Sequence, residues 1–151
     1  GLNVMLGYYK NEEATKATLD AEGWYHTGDL GVFDAKGNLY IKGRSKNMLP
    51  GPNGQNIYPE EIEDKLSNMT LVNECLVVQR DNKLVGLVYP DQEQIKNLNL
   101  SESDIESIME QNRKEVNPTL PSYAQLISIK VMDKEFEKTP KKSIKRFLYQ
   151  N

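Results

Sequence analysis

The chain has 151 residues, about one ordinary domain on a scale of roughly 100–200 residues each. Hydrophobic residues make up 38%, near the lower edge of the globular range, and a chain this long buries roughly two thirds of its unfolded surface, which argues against intrinsic disorder. The net charge of -3, from 19 basic and 22 acidic residues, argues against a general polyanion or nucleic-acid binder, and the lone Cys75 leaves neither an internal disulfide framework nor a cysteine zinc cluster.

The chain opens on Gly1 rather than Met, and Gly1 to Tyr9 (GLNVMLGYY) reads as the interior of a longer protein. No apolar run approaches the ~18 residues of a membrane span, and no secretory leader is expected. Residues 1–46 are punctuated by Gly23, Gly28, Gly31, Gly37 and Gly43, with short runs such as Val32-Phe33 and Leu39-Tyr40-Ile41 between them. A meander of small strands is predicted, with Asp34 to Asn38 as a hairpin connection. So few apolar residues imply that this piece packs on something outside the chain.

Leu49 to Asn56 (LPGPNGQN) is predicted as a loop. Pro59 to Leu66 predicts a helix, because Pro suits its first position, the early carboxylates suit its positive end, and Ile62 and Leu66 share a face. Cys75 to Gln79 and Lys83 to Tyr89 predict two strands joined by a turn at Asp81-Asn82. Ser101-Glu102-Ser103-Asp104 opens a second helix with a capping-box pattern, and Pro118 and Pro121 end it. Ile127 to Val131 alternates as a strand, and Thr139-Pro140 opens a short basic helix or turn. The fold class that follows is α+β: a small three-stranded, mostly antiparallel sheet covered by helices, preceded by a short β-meander. The division falls at residues 1–46 and 47–151.

Three segments could carry chemistry. In Gly28-Asp29-Leu30-Gly31 a carboxylate stands between glycines, which allow close backbone approach, and it could accept hydrogen bonds from both ribose hydroxyls. Taken alone, these residues are ordinary turn chemistry. Gly43-Arg44 places a guanidinium at a strand end, able to clamp a ribose or phosphate oxygen or simply to be solvated. Lys138 to Arg146 packs five cations into nine residues, which can focus on an anion or form a solvated basic tail.

In combination and in order, the segments resemble the C-terminal part of the adenylate-forming, or acyl-activating, superfamily. The stretch Asn3 to Asn11 is similar to that superfamily's GYYxN segment, Gly23 to Asp29 to its GWxxTGD motif, and Gly43 to Lys46 to its GRxK/D motif. Gly54 to Glu63 (GQNIYPEEIE) resembles its GxxxxPxEIE segment, with wording closest in kind to long-chain fatty acid–CoA ligases.

The resemblance implies two half-reactions. ATP and a fatty acid give an acyl-adenylate and pyrophosphate, and CoA then takes the acyl group and releases AMP. Asp29 would hold the ribose hydroxyls and Arg44 the ribose or a phosphate. Lys46 would be the hinge on which the C-terminal domain swings, and the loop carrying Gly54 would leave room for the pantetheine arm of CoA. Mg²⁺ would arrive with ATP, with no ligands in this chain. Residues 1–46 would be the end of a large N-terminal domain, whose absence leaves the chain inactive alone. A cytoplasmic home follows from the substrates, with peripheral membrane contact left open.

One position departs from the pattern. The family's lysine, three residues after the proline of its last motif, is Ser143 here, counted from Pro140. Lys142, and after it Lys145, would then supply the adenylation charge. Alternative readings are an acyl–acyl-carrier-protein synthetase, the adenylation domain of a peptide synthetase, or a non-catalytic docking module of the same fold. His26 receives no role.

Overall fold

A computed structural model describes residues 2–150. Two compact units divide the chain, the first ending at Lys46 and the second beginning at Asn47.

In the first unit, helix α1 (Glu12–Thr18) stands where only strands are predicted. Asn11 caps it by accepting from the Ala14 N–H at 3.0 Å, and Glu12 and Glu13 lie at its positive end. Strands β1 (Asp29–Phe33) and β2 (Leu39–Arg44) form the expected antiparallel hairpin, with Asp29 opposite Arg44. Asp34 organises the connection, accepting from the backbone N–H groups of Lys36 at 2.8 Å and Asn38 at 2.9 Å. The hairpin buries little of its apolar surface: Phe33 is 72% exposed and Ile41 62%.

The second unit holds the core. Leu49–Pro50 (β3) and Asn56–Ile57 (β4) pair as a two-residue ladder inside the stretch expected to be loop. Helix α2 (Pro59–Ser67) follows, with Pro59, Ile62 and Leu66 buried. Strands β5 (Val72–Arg80) and β6 (Lys83–Pro90) meet at Asp81 and Asn82, whose φ values of 49° and 58° match the two left-handed positions of a type I′ turn. Helix α3 (Gln92–Leu98), absent from the sequence expectations, is capped by Asp91. Helix α4 (Glu102–Val116) begins with a complete Ser101–Asp104 capping box.

Strand β7 (Leu126–Val131) pairs with β6 in parallel, so the sheet runs β5-β6-β7 with one antiparallel and one parallel pairing. A parallel return requires a long crossover, which α3 and α4 supply. The sheet is buried on both faces, which explains the unbroken apolar runs of β5 and β6. On one face Val77, Leu84, Val88 and Leu126 pack with Ile62, Leu66, Met109 and Val116 of the helices. The other face, Leu76, Val78, Val85 and Leu87, is covered by the C-terminal segment through Phe136, Ile144 and Tyr149. Phe136 and Tyr149 meet edge to face, with ring centroids 5.0 Å apart. This segment is a hairpin-like turn, with Lys138 bridged to Ile144, and a 3₁₀ turn at Arg146–Leu148.

Candidate functional site

The antiparallel register sets Asp29 beside Arg44. Arg44 Nε lies 3.0 Å from Asp29 Oδ1, and Arg44 Nη1 donates to the Thr27 carbonyl at 2.7 Å. The Ser45 N–H donates to the Gly28 carbonyl at 2.9 Å, closing the end of the ladder. Gly28 has φ +74°, a conformation L side chains rarely adopt, so the turn presenting Asp29 requires glycine. Asp29 and Arg44 are both exposed, leaving carboxylate lone pairs and guanidinium N–H groups facing water. His26 Nε2 lies 2.9 Å from Asp20 Oδ2. Asp20 also accepts from the Trp24 and Glu22 N–H groups, which with His26 hold its carboxyl below the ordinary range. This arrangement fastens the Asp20–His26 turn and gives His26 a local partner.

Lys46 lies in a 3₁₀ turn (Ser45–Asn47) at the seam between the two units. Gly54, with φ +78°, sits in the exposed turn between β3 and β4, where the Gly51 N–H donates to the Gln55 carbonyl at 2.7 Å. A Cβ added to Gly54 would meet nothing within 4 Å, so its backbone conformation, rather than local crowding, demands glycine.

The basic C-terminal run separates into paired and unpaired cations. Lys138 is ion-paired with Glu74 and lies 3.6 Å from Glu135. Lys145 Nζ lies 3.3 Å from Glu137 Oε2, and its backbone N–H donates to the Glu137 carbonyl at 2.8 Å. Arg146 is ion-paired with Glu63, and its Nη2 is 3.9 Å from Glu60 Oε1. Lys141 and Lys142 alone in this run have no side-chain partner among the described residues. They occupy the tip of the turn, where the Lys142 N–H donates to the Thr139 carbonyl at 2.8 Å and Lys142 takes φ 62°. Ser143, exposed, donates its N–H to Thr139 Oγ1 at 3.3 Å. Sequence reasoning misses the carboxylates that anchor this turn, because Glu63 and Arg146 lie 83 residues apart. Burial pushes the Glu63 carboxyl upward in pKa, while Arg146 and the Val77 N–H, donating at 2.6 Å, favour its charged form.

Among the described residues, no group of three or more His, Cys, Asp and Glu gathers to hold a metal ion, and no helix is long and apolar enough to cross a membrane.

The three-stranded sheet, its covering helices and the basic turn at its end belong to a C-terminal domain of adenylate-forming enzymes. Residues 48–150 match the AMP-binding enzyme C-terminal domain family, and the chain belongs to it. The 2-succinylbenzoate–CoA ligase of Bacillus cytotoxicus is 43% identical over 88 residues, 58% of this chain and 18% of the relative. Long-chain-fatty-acid–CoA ligase 1 of Saccharomyces cerevisiae is 41% identical over 93 residues, 60% of this chain and 13% of the relative. The fold matches that of O-succinylbenzoate coenzyme A synthetase from Bacillus subtilis in complex with AMP, with a TM-score of 0.72, 24% identity, and coverage of 100% of this chain and 29% of that one. The chain thus spans less than a third of each of these proteins.

Proposed function

We propose that this chain is the C-terminal part of an ATP-dependent acid–CoA ligase whose acid is a long-chain fatty acid. In the first half-reaction a carboxylate oxygen attacks the α-phosphorus of ATP, and the bond to pyrophosphate breaks. In the second, the CoA sulfur gives up its proton and attacks the acyl carbon, and AMP leaves. Mg²⁺ comes in with the nucleotide.

The observation that carries the reading is the solvent-facing Asp29–Arg44 pair, 3.0 Å apart. Asp29 accepts from the ribose hydroxyls, while Arg44 steadies it and donates to the ribose or a phosphate. A docking module has no use for such a pair. Lys142 supplies the charge for adenylation: it is at the tip of the turn and has no carboxylate partner among the described residues, whereas Lys145 faces Glu137 at 3.3 Å. Lys46 is the hinge, and Gly54 borders the path of the pantetheine arm. Residues 1–46 are the end of a large N-terminal domain, whose remainder would cover Phe33 and Ile41, both exposed in this chain. The long-chain assignment is supported by the PEEIE wording and by the yeast relative; the succinylbenzoate relatives make an aryl acid its rival.

The test is pyrophosphate exchange by the full-length protein with ATP and either palmitate or 2-succinylbenzoate. Exchange with palmitate is expected. Exchange with the aryl acid alone would replace the substrate while keeping the reaction, and no exchange with any acid would overturn the reaction itself. Ser143 favours a second reading, a non-catalytic docking module, because a hydroxyl brings no charge to the slot the family gives a lysine. Full-length protein that folds but neither binds AMP nor exchanges pyrophosphate with any acid would favour that reading.

A further inference from the structure

Two of the carboxylates on helix α2, Glu60 and Glu63, stand one turn apart on one face. Each reaches a segment remote in sequence. Glu60 Oε1 accepts from Asn47 Nδ2 at 2.6 Å, and Asn47 immediately follows Lys46. Glu63 is ion-paired with Arg146 at the end of the basic turn and also accepts from the Val77 N–H at 2.6 Å, which fixes the carboxylate on β5. Arg146 Nη2 stands 3.9 Å from Glu60 Oε1, so the two attachments share a guanidinium. Glu60 Oε2 is buried without a hydrogen-bond partner among the described residues, which leaves this carboxylate dependent on Asn47 and Arg146. The other leg of the basic turn is held independently by the Lys138–Glu74 ion pair. The side chains concerned are sheltered: Arg146 is 16% exposed and Glu63 15%.

We propose that Glu60 and Glu63 are positioning residues that fasten the segment after Lys46 and the turn bearing Lys142 to the same helix. The inference rests on Lys46 as hinge and Lys142 as the adenylating cation. Through these contacts the tip carrying Lys142 keeps a fixed place relative to the start of the domain, and movement at Lys46 carries it as part of one body. A charge used in a transition state must be placed before the reaction, and a displacement of an ångström is costly there.

Two measurements separate this role from the ligase reading. The first uses the 151-residue chain and needs no catalysis: trypsin cleavage after Lys141 and Lys142, followed by mass spectrometry. E63Q retains an oxygen for the Val77 N–H and loses the charge facing Arg146. Cleavage at the tip is expected to rise roughly tenfold in E63Q, because opening of the turn exposes it, while cleavage at Lys83 and Lys96 stays at the wild-type rate. An unchanged tip rate, or a uniform rise at every site, overturns the fastening.

The second uses the full-length protein. In E63Q and E60Q, kcat for pyrophosphate exchange falls about 10- to 100-fold, with the KM for ATP within about twofold, and thioester formation from supplied acyl-adenylate is retained. R146K, which keeps a cation facing both Glu60 and Glu63, retains more exchange than R146Q, which removes the charge. Equal losses in both half-reactions, or full exchange in E63Q, overturn the positioning role. A wild-type protein that exchanges no pyrophosphate defeats the ligase reading, and with it the catalytic part of this inference, whatever the trypsin result.

Discussion

Arg44 turns its guanidinium back along the hairpin, with Nε 3.0 Å from Asp29 Oδ1 and Nη1 donating to the Thr27 carbonyl at 2.7 Å. The cation thereby holds the carboxylate in place without enclosing it. If Asp29 grips the ribose hydroxyls, hydrogen bonds to a charged acceptor, about 1.5–3 kcal/mol each, are at stake. Asp29→Ala in the full-length protein should weaken ATP binding about 10- to 100-fold. It should also abolish discrimination between ATP and 2′,3′-dideoxy-ATP in an equilibrium titration. Retained discrimination would remove Asp29 from the ribose site.

The separation of Lys142 from its ion-paired neighbours gives an ordered set of effects. Lys142→Ala should lower the rate of pyrophosphate exchange about 10²- to 10³-fold, the usual scale for removing a preorganised group from a developing charge. Lys145→Ala, which loses a contact to Glu137, should change it by less than about threefold on the scale of an exposed ion pair. Ser143→Lys, restoring the family's lysine, should rescue exchange in the Lys142→Ala background. Exchange rates that follow Lys145 instead would reverse the assignment.

Gly86 lies at the centre of the sheet, where an added Cβ would stand 3.3 Å from Ile129 Cγ1 and from Leu66 Cδ2, and 3.4 Å from Leu126 Cδ1. Three branched side chains would have to give way together. Gly86→Ala should therefore cost about 1–3 kcal/mol, read as a lower urea midpoint with an unchanged slope.

Burial, reinforced by the nearby Glu63 carboxylate, pushes the Cys75 thiol up to about 12. At pH 8 its thiolate fraction is then about one in 10⁴. Alkylation of the native chain should be limited by opening of the core and should accelerate when Leu66→Ala removes about 2–5 kcal/mol of stability. Rapid alkylation of the native protein would contradict the burial.

Hydrogen bonds from the Ser101 side chain and backbone hold the Asp104 carboxyl below its usual value of 3.8. Because the folded value is depressed, the contribution to stability is present above the unfolded pKa and is lost as pH falls through the folded one. The melting temperature of wild type should therefore fall more than that of Asp104→Asn between pH 5 and about pH 2. Parallel curves would show that the capping box contributes nothing pH-dependent.

Local chemistry was legible in the chain itself. The capping box at Ser101, the turn at Asp81-Asn82, the helix from Pro59 and the glycine-framed Asp29 each depend on residues a few positions apart, so the backbone conformation they demand is written where it occurs. Helices α1 and α3 are illegible in the sequence because each is seven residues long and buries no side chain, so neither leaves an apolar stripe there.

Only the tertiary structure decided the direction of β7, the covering of one sheet face by the C-terminal segment, and which cations of the basic run are neutralised. Strand alternation looks alike in parallel and antiparallel pairing, since the side-chain period is the same in both. Glu63 selects Arg146, and Glu74 selects Lys138, because folding brings α2 and β5 against the end of the chain. A sequence can count charges, but a charge acquires its partner, and so its availability for chemistry, only when distant segments are packed together.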